Sequence, residues 1–369
     1  MIGTILTIAL FLLVLSVLIF VHEWGHYITA KLTGMRVDEF AIGFPPKVFS
    51  WKKGETEYSI NALPIGGFVR IHGEDPTQVT PDDVDRDRTF SARPKWAQAV
   101  VLVAGVTMNV LFAWLLFVAI LMIGVPTQVE EGKASAAAEL VVIDVLENSP
   151  AASAVPVNAA ITMVKSGEMS LATLSPSTVS DFVASVGTNP VSITYTVGDA
   201  ESVTVEVTPV TGLLAASPNR PAVGVSLALV ETIRQPFGTA LVEGFFRTID
   251  TTGKIIVGLG SLLAGAVAGT ADFSQVAGPV GIVGYVGDAA AVGFTSVLLF
   301  TAIISLNLAV INLLPIPALD GGRLVFVAIE TVLRRPIPPM WAARVNFVGI
   351  SLLLLLMLVA TINDIGRLW

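Results

Sequence analysis

Four long apolar stretches interrupt an otherwise mixed chain. The first, Met1–Val21, has Gly3 and Thr4 as its only weak positions and runs on to about residue 28. The second is Ala97–Ile123. The third, Ser296–Leu314, opens a proline-broken segment over 295–333, and the fourth is Phe347–Ile362 within 345–363. A helix needs about 20 apolar residues to cross lipid, so each stretch predicts a membrane span. No Lys or Arg precedes Lys31 and no small-residue cleavage pattern follows the first stretch, so it is expected to stay in the protein as a span. Ile255–Thr270 is apolar but only 16 residues long and rich in glycine. It is expected to be a re-entrant or interfacial helix, with a fifth span as the alternative.

Between the spans the pattern changes. Residues 29–96 form a polar loop with β-forming runs at Tyr58–Ile60 and Phe68–Ile71. Within 137–210, the runs Leu140–Val145, Ser192–Val197 and Ser202–Thr208 are rich in β-branched residues, and Gly198-Asp199 is a hairpin turn signal. Thr178–Val186 reads as a short helix with Asp181 in its first turn. This order resembles a PDZ domain, with Ser149-Pro150-Ala151 standing where such modules often carry that motif. Ala159-Ala160 replaces the Gly-Asp pair that usually follows. Residues 211–294 are expected to be a linker, beginning at Thr211–Pro221, and then the interfacial or re-entrant helix.

Composition agrees with lipid as the solvent. Of 369 residues, 53% are hydrophobic and 14% charged, and the mean hydropathy is +0.77. An ordinary soluble domain is nearer a quarter charged. With 21 basic against 29 acidic residues the net charge is −8, which argues against a nucleic-acid partner. There are no cysteines, so disulfides and thiolate metal sites are excluded. Ten Lys or Arg fall between Tyr27 and Trp96, and three between Arg334 and Arg344, whereas the long stretch Gly124–Phe294 holds six. The positive-inside rule then places the first and third loops in the cytoplasm, and both termini and the 124–294 region outside. Trp96 and Trp341 sit at span edges as aromatic anchors.

The sharpest chemical signal is His22-Glu23-Trp24-Gly25-His26. Residues four apart on a helix share a face, so both imidazoles can grip one ion, with Glu23 beside them as general base. Ionisable groups running on from a lipid span are costly unless they have work to do. Catalytic zinc keeps three protein ligands and an open position. For the third ligand, His72 lies in the polar loop Arg70–Asp75 and reads as a solvated histidine. Asp320 is the better candidate, in Asn312-Leu313-Leu314-Pro315-Ile316-Pro317-Ala318-Leu319-Asp320-Gly321-Gly322, where two prolines break the chain at membrane depth. Irregular backbone there is tolerated only when buried in protein or lining a cavity.

Taken together, these residues resemble the site-2 proteases, intramembrane zinc metalloproteases of the bacterial, PDZ-bearing kind. Further motifs follow in family order. They are Ile42-Gly43-Phe44-Pro45; Leu63-Pro64-Ile65-Gly66-Gly67-Phe68-Val69, similar to the family's membrane-associated β segment; Ala104-Gly105 with Asn109; and Gly278-Pro279-Val280-Gly281-Ile282. Val106 and Pro45 depart from the family's Gly-Pro and Gly-Phe-Gly elements. The fold implied is a polytopic α-helical membrane protein of about four transmembrane helices, with a membrane-associated β segment and an inserted extracytoplasmic PDZ-like α+β domain.

The resemblance implies one catalytic Zn2+ held by His22, His26 and Asp320, with Glu23 as catalytic base. Asn312, Pro315 and Pro317, with Gly66, Gly67 and Phe68, would handle the substrate. That substrate would be a single-pass membrane protein, such as an anti-sigma factor or a signal-peptide remnant, cut after a site-1 protease. The site would face the cytoplasmic side of a bacterial inner membrane. Two competing readings are a catalytically silent PDZ-bearing scaffold and a metal transporter. The intact ligand set argues against the first, and the lack of an internal repeat against the second.

Overall fold

The structure is a computed structural model that describes residues 2–74, 84–198, 200–213, 217–270 and 277–367. Met1, Asp75, Asp199 of the expected hairpin turn and residues 214–216 of the expected linker lie outside them. The chain divides into two compact units, one made of Met1–Ile120 with Pro236–Trp369 and the other of Leu121–Gln235.

The first unit is helical, apart from one β element. Helix α1 (Ile2–Leu32) is apolar on all sides as far as Val21 and carries its ionisable residues after that point. It is followed by strands β1 (Val37–Lys53) and β2 (Thr56–Ile71), which pair antiparallel with several register shifts. The base of β1 lies between the two halves of β2, since Phe40 pairs with both Val69 and Tyr58 and Ala41 with both Phe68 and Ser59. Farther along, Ser50 pairs with Ser59 and Trp51 with Tyr58. The sequence runs at 58–60 and 68–71 marked only parts of β2. All of β1 was missed, because Gly43, Pro45, Pro46 and five charged residues break its period-two alternation.

An aromatic cluster clamps this hairpin to α1. Trp24 stacks on Phe20 and Tyr27 with ring centroids 5.7 and 5.5 Å apart, Phe40 meets all three edge-on, and the Tyr27 and Tyr58 hydroxyls are 2.6 Å apart. Ion pairs finish the join. Glu55 accepts from Arg88 and Lys31, and these hydrogen bonds hold its carboxyl down at about 2.

Helix α2 is Lys95–Ile123. The second unit follows, with β3 (Val125–Val129), β4 (Glu139–Val145), β5 (Ala160–Ser166), β6 (Met169–Ser170), α3 (Pro176–Val186), β7 (Val191–Thr196), β8 (Val203–Val207) and β9 (Val225–Ile233). Its sheet runs β3-β9-β4-β5-β7-β8, with β6 paired to β5. Leu140, Val142, Ile161, Val164, Ile193 and α3's Val179 and Val183 fill the core. Ser175 and Thr178 cap α3 reciprocally, with Pro176 in the first turn, so Asp181 falls in the second turn and not the first. The expected limits of 137–210 were too narrow. β3 lies before them and β9 inside the supposed linker, because Ser226-Leu227-Ala228-Leu229-Val230 follows a Pro- and Ser-rich stretch that masks it.

The chain then returns to the first unit as α4 (Phe237–Ala268), α5 (Pro279–Val292), α6 (Phe294–Leu313), α7 (Asp320–Leu333) and α8 (Pro339–Gly366). The apolar run at 255–270 is not a separate short helix but the end of the 32-residue α4. The first half of α4 carries Glu243–Arg247 and Asp250–Lys254 ion pairs on successive turns. Among the described residues, four helices are long and apolar enough to cross a membrane, and these are α1, α2, α6 and α8. The protein is a polytopic helical membrane protein. The fourth apolar helix begins at Pro339, ahead of the expected 345.

α5 was not foreseen as a helix, and its start explains Gly278-Pro279-Val280-Gly281. Asp364 of α8 is buried and accepts hydrogen bonds from Gly278 N at 3.0 Å and Gly281 N at 2.8 Å. A Cβ on either glycine would lie within 3.0 Å of that carboxylate. A carboxylate from another helix therefore satisfies the free amides of the α5 N-terminus. Asp364→Ala strands both amides and should cost about 1–3 kcal/mol, by the penalty for a buried unpaired donor. The check is a lower thermal unfolding midpoint in detergent, with Asp364→Asn falling between the variant and the wild type.

Candidate metal centre

His22 and His26 lie one turn apart on α1, both buried. Their Nε2 atoms are 3.1 Å from each other. Asp320 reaches them from the first residue of α7, with Oδ2 at 3.0 Å from His22 Nε2 and 3.3 Å from His26 Nε2. The ligand atoms of these three residues all lie within 4.8 Å of one another, and among the described residues no other such group occurs.

The break between α6 and α7 brings Asp320 into this position. Pro315 and Pro317 cannot donate helical hydrogen bonds, so the helix stops at Leu313. Ala318 turns the chain with φ +77°, a left-handed conformation that a side chain rarely adopts, and its amide donates to Asn346 Oδ1 at 3.3 Å. Gly321 and Gly322 let the loop fold back on the new helix, since a Cβ on either would sit 2.2 Å from a loop carbonyl oxygen. On the other side, α1 and α2 touch backbone to backbone. A Cβ on Gly25 would lie 2.5 Å from Ala104 O, and one on Gly105 would lie 2.4 Å from His26 Nε2.

The donor set fits a divalent ion. Asp320 Oδ2 is buried, faces two imidazole nitrogens and makes no hydrogen bond, a costly state for a carboxylate without a cation. Bonds of about 2.0–2.1 Å to a tetrahedral zinc put ligand atoms roughly 3.3 Å apart, and the three separations here are 3.0, 3.1 and 3.3 Å.

Beside the triangle is a cavity of about 600 Å³ whose wall includes Glu23, Phe68, Val69, Arg70, Glu74 and Arg323. Arg323 pairs with Glu74 across it. Of the residues expected to meet substrate, Phe68 is in this wall and Asn312 Nδ2 lies 3.4 Å from His22 Nε2. The others are not in the wall. Gly66 lies against the Phe44 ring, Gly67 against Ile19, and Pro317 against Gly349, while Pro315 is exposed. His72 is not a solvated loop histidine. Its Nδ1 is 2.9 Å from Asp38 Oδ2 and its side chain is 15% exposed, apart from the metal group. Sequence reading missed Arg323 and Glu74. An arginine in the first turn of an apolar helix was the available signal.

A polytopic membrane protein with a His-His-Asp group beside a glutamate fits the class of intramembrane metalloproteases. The model of peptidase family M50, the site-2 proteases, matches residues 10–356, and the chain belongs to that family. Zinc metalloprotease RasP of Oceanobacillus iheyensis is 32% identical over 449 residues, covering 98% of this chain and 99% of its own. Regulator of sigma-W protease RasP of Bacillus subtilis is 30% identical over 441 residues, again covering 98% and 99%. Among solved structures, the PDZ domain of an SdrC-like protein of Listeria monocytogenes is 20% identical and covers 26% of this chain and 92% of its own. Its TM-score of 0.21 is too low to define a fold. This chain is an intramembrane zinc metalloendopeptidase.

Proposed function

We propose that the protein hydrolyses a peptide bond within or near the transmembrane segment of a single-pass membrane protein, using one zinc held by His22, His26 and Asp320. The observation that carries this is the convergence of three donor atoms from helices at opposite ends of the chain, beside a glutamate-lined cavity. Zinc held there supplies Lewis acidity to the scissile carbonyl and to water. Glu23 takes the proton of the attacking water and returns it to the leaving amine. The Asn312 amide donates to the developing oxyanion.

A helical substrate hides its carbonyls in its own hydrogen bonds, and lipid offers no replacements. The edge of β2 at Gly67–Ile71 supplies them by strand addition. It pairs with β1 on one side, and among the described residues no strand pairs with its other side. Pro315 and Pro317 act indirectly, by shaping the loop that aims Asp320.

The excess of Lys and Arg in the first and third loops supports a cytoplasmic side for α1's C-terminal end and the hairpin, in a bacterial inner membrane with both termini and the PDZ-like unit outside. Four spans and the PDZ-like reading of Leu121–Gln235 belong to the same proposal. The name of the Bacillus subtilis relative points to an anti-sigma factor as substrate; signal-peptide remnants are a second class, and a site-1 protease would make the first cut. The test is purified protein in liposomes with a model single-pass substrate. We expect cleavage inside the substrate's apolar segment, read by mass spectrometry, abolished by a zinc chelator and restored by added zinc. Activity that survives complete zinc removal would sink the reading.

A further inference from the structure

We infer that one face of α2 is the template that orients both imidazoles, and that Asn109 is the positioning residue that holds His22 with its proton on Nδ1. This rests on the reading that His22 and His26 hold zinc. Val101, Gly105 and Asn109 are spaced four apart on α2 and so share a face, which lies against the matching four-residue spacing of His22 and His26 on α1.

Each residue of the template has a distinct task. The Val101 carbonyl oxygen lies 2.8 Å from His26 Nδ1. A carbonyl only accepts, so Nδ1 of His26 carries the proton and Nε2 keeps its lone pair toward Asp320. Gly105 leaves room for both rings, since a Cβ there would lie 2.4 Å from His26 Nε2 and 2.8 Å from His22 Cε1. For His22 Nε2 to offer a lone pair to the same triangle, its proton must also sit on Nδ1, and that proton needs an acceptor. The group facing it is the Asn109 side-chain amide, with Nδ2 at 3.3 Å.

Asn109 is fully buried, and its Oδ1 has no hydrogen-bond partner. An amide nitrogen cannot accept the His22 proton. A half-turn of the amide exchanges its oxygen and nitrogen, gives that proton its acceptor and gives the orphaned oxygen its donor. The backbone beneath is pinned, because Ser305 of α6, itself fully buried, donates its hydroxyl to Asn109 O at 2.8 Å. His26 thus takes its orientation from a backbone carbonyl that substitution leaves in place, and His22 from a replaceable side chain. Such outer hydrogen bonds fix ring orientation and raise ligand basicity.

The experiment measures zinc affinity of the full-length protein in detergent by chelator competition at fixed neutral pH, with the visible spectrum of the cobalt-substituted protein as a second readout. Asn109→Leu removes the acceptor and should weaken zinc binding about 10- to 100-fold and shift the cobalt bands. Asn109→Asp can accept, so it should return affinity to within a few-fold of wild type and restore the spectrum. The inference is overturned if Asn109→Asp loses as much affinity as Asn109→Leu, or if Asn109→Leu matches wild type in both readouts. The unfolding midpoint of metal-free protein exposes a variant that fails to fold, and Asn109→Ala then takes the place of Asn109→Leu. A His22→Ala variant separates the two levels. If it binds zinc like wild type, the metal reading falls; if it loses zinc while Asn109→Leu does not, only the present inference falls.

Discussion

Glu23→Gln should leave zinc bound and all but stop cleavage. The side chain lies in the cavity wall beside the donor triangle but contributes none of the three donor atoms. The amide keeps the volume and most of the polarity of the carboxylate and cannot take a proton from water. Removing a general base costs roughly 10²–10⁴-fold in rate, and with the same group returning the proton to the amine, the loss should lie toward the upper end. The measurement is zinc per chain alongside the initial rate of substrate cleavage in liposomes. Loss of zinc with loss of rate would mean that Glu23 holds the ion. An unchanged rate would mean that another group is the base.

Asp320→Ala should fail at an earlier step, by losing the ion. It removes one of three donors and leaves two imidazoles 3.1 Å apart without a third ligand. Loss of an outer hydrogen bond to a ligand weakens binding about 10- to 100-fold, so loss of the ligand itself should exceed roughly 100-fold. Cleavage should vanish at zinc concentrations that saturate wild type. Partial recovery at high zinc would fit two remaining ligands, and undiminished affinity would refute Asp320 as the third. The buried face of α7 starts with Gly321 and Gly322, not with Asp320, so the variant should keep its unfolding midpoint in the metal-free state.

The chemistry could be read from the sequence more fully than its supports. His22, Glu23 and His26 are local: three ionisable residues within one helical turn at the end of an apolar run carry their own geometry. Asp320 could be found because two prolines at membrane depth need a reason. β1 could not, since its partners are the two halves of β2 and it carries Gly43 and two prolines. Strand β9 was hidden by the linker-like stretch before it. α4 was misread because a hydropathy window registers its apolar end and not the paired charges of its first turns. Asn109 was visible only as part of a motif. Its spacing from Val101 and Gly105 acquires meaning once α1 is known to lie against that face, a fact of tertiary packing.

Because the donor triangle draws on residues 22, 26 and 320, its assembly has an order in time. A ribosome adding about 5–20 residues per second makes Asp320 roughly 15–60 seconds after His26. Throughout that interval the growing chain holds a glutamate and two histidines but no third donor. Until α7 arrives the growing chain should therefore be inert toward any substrate in the same membrane.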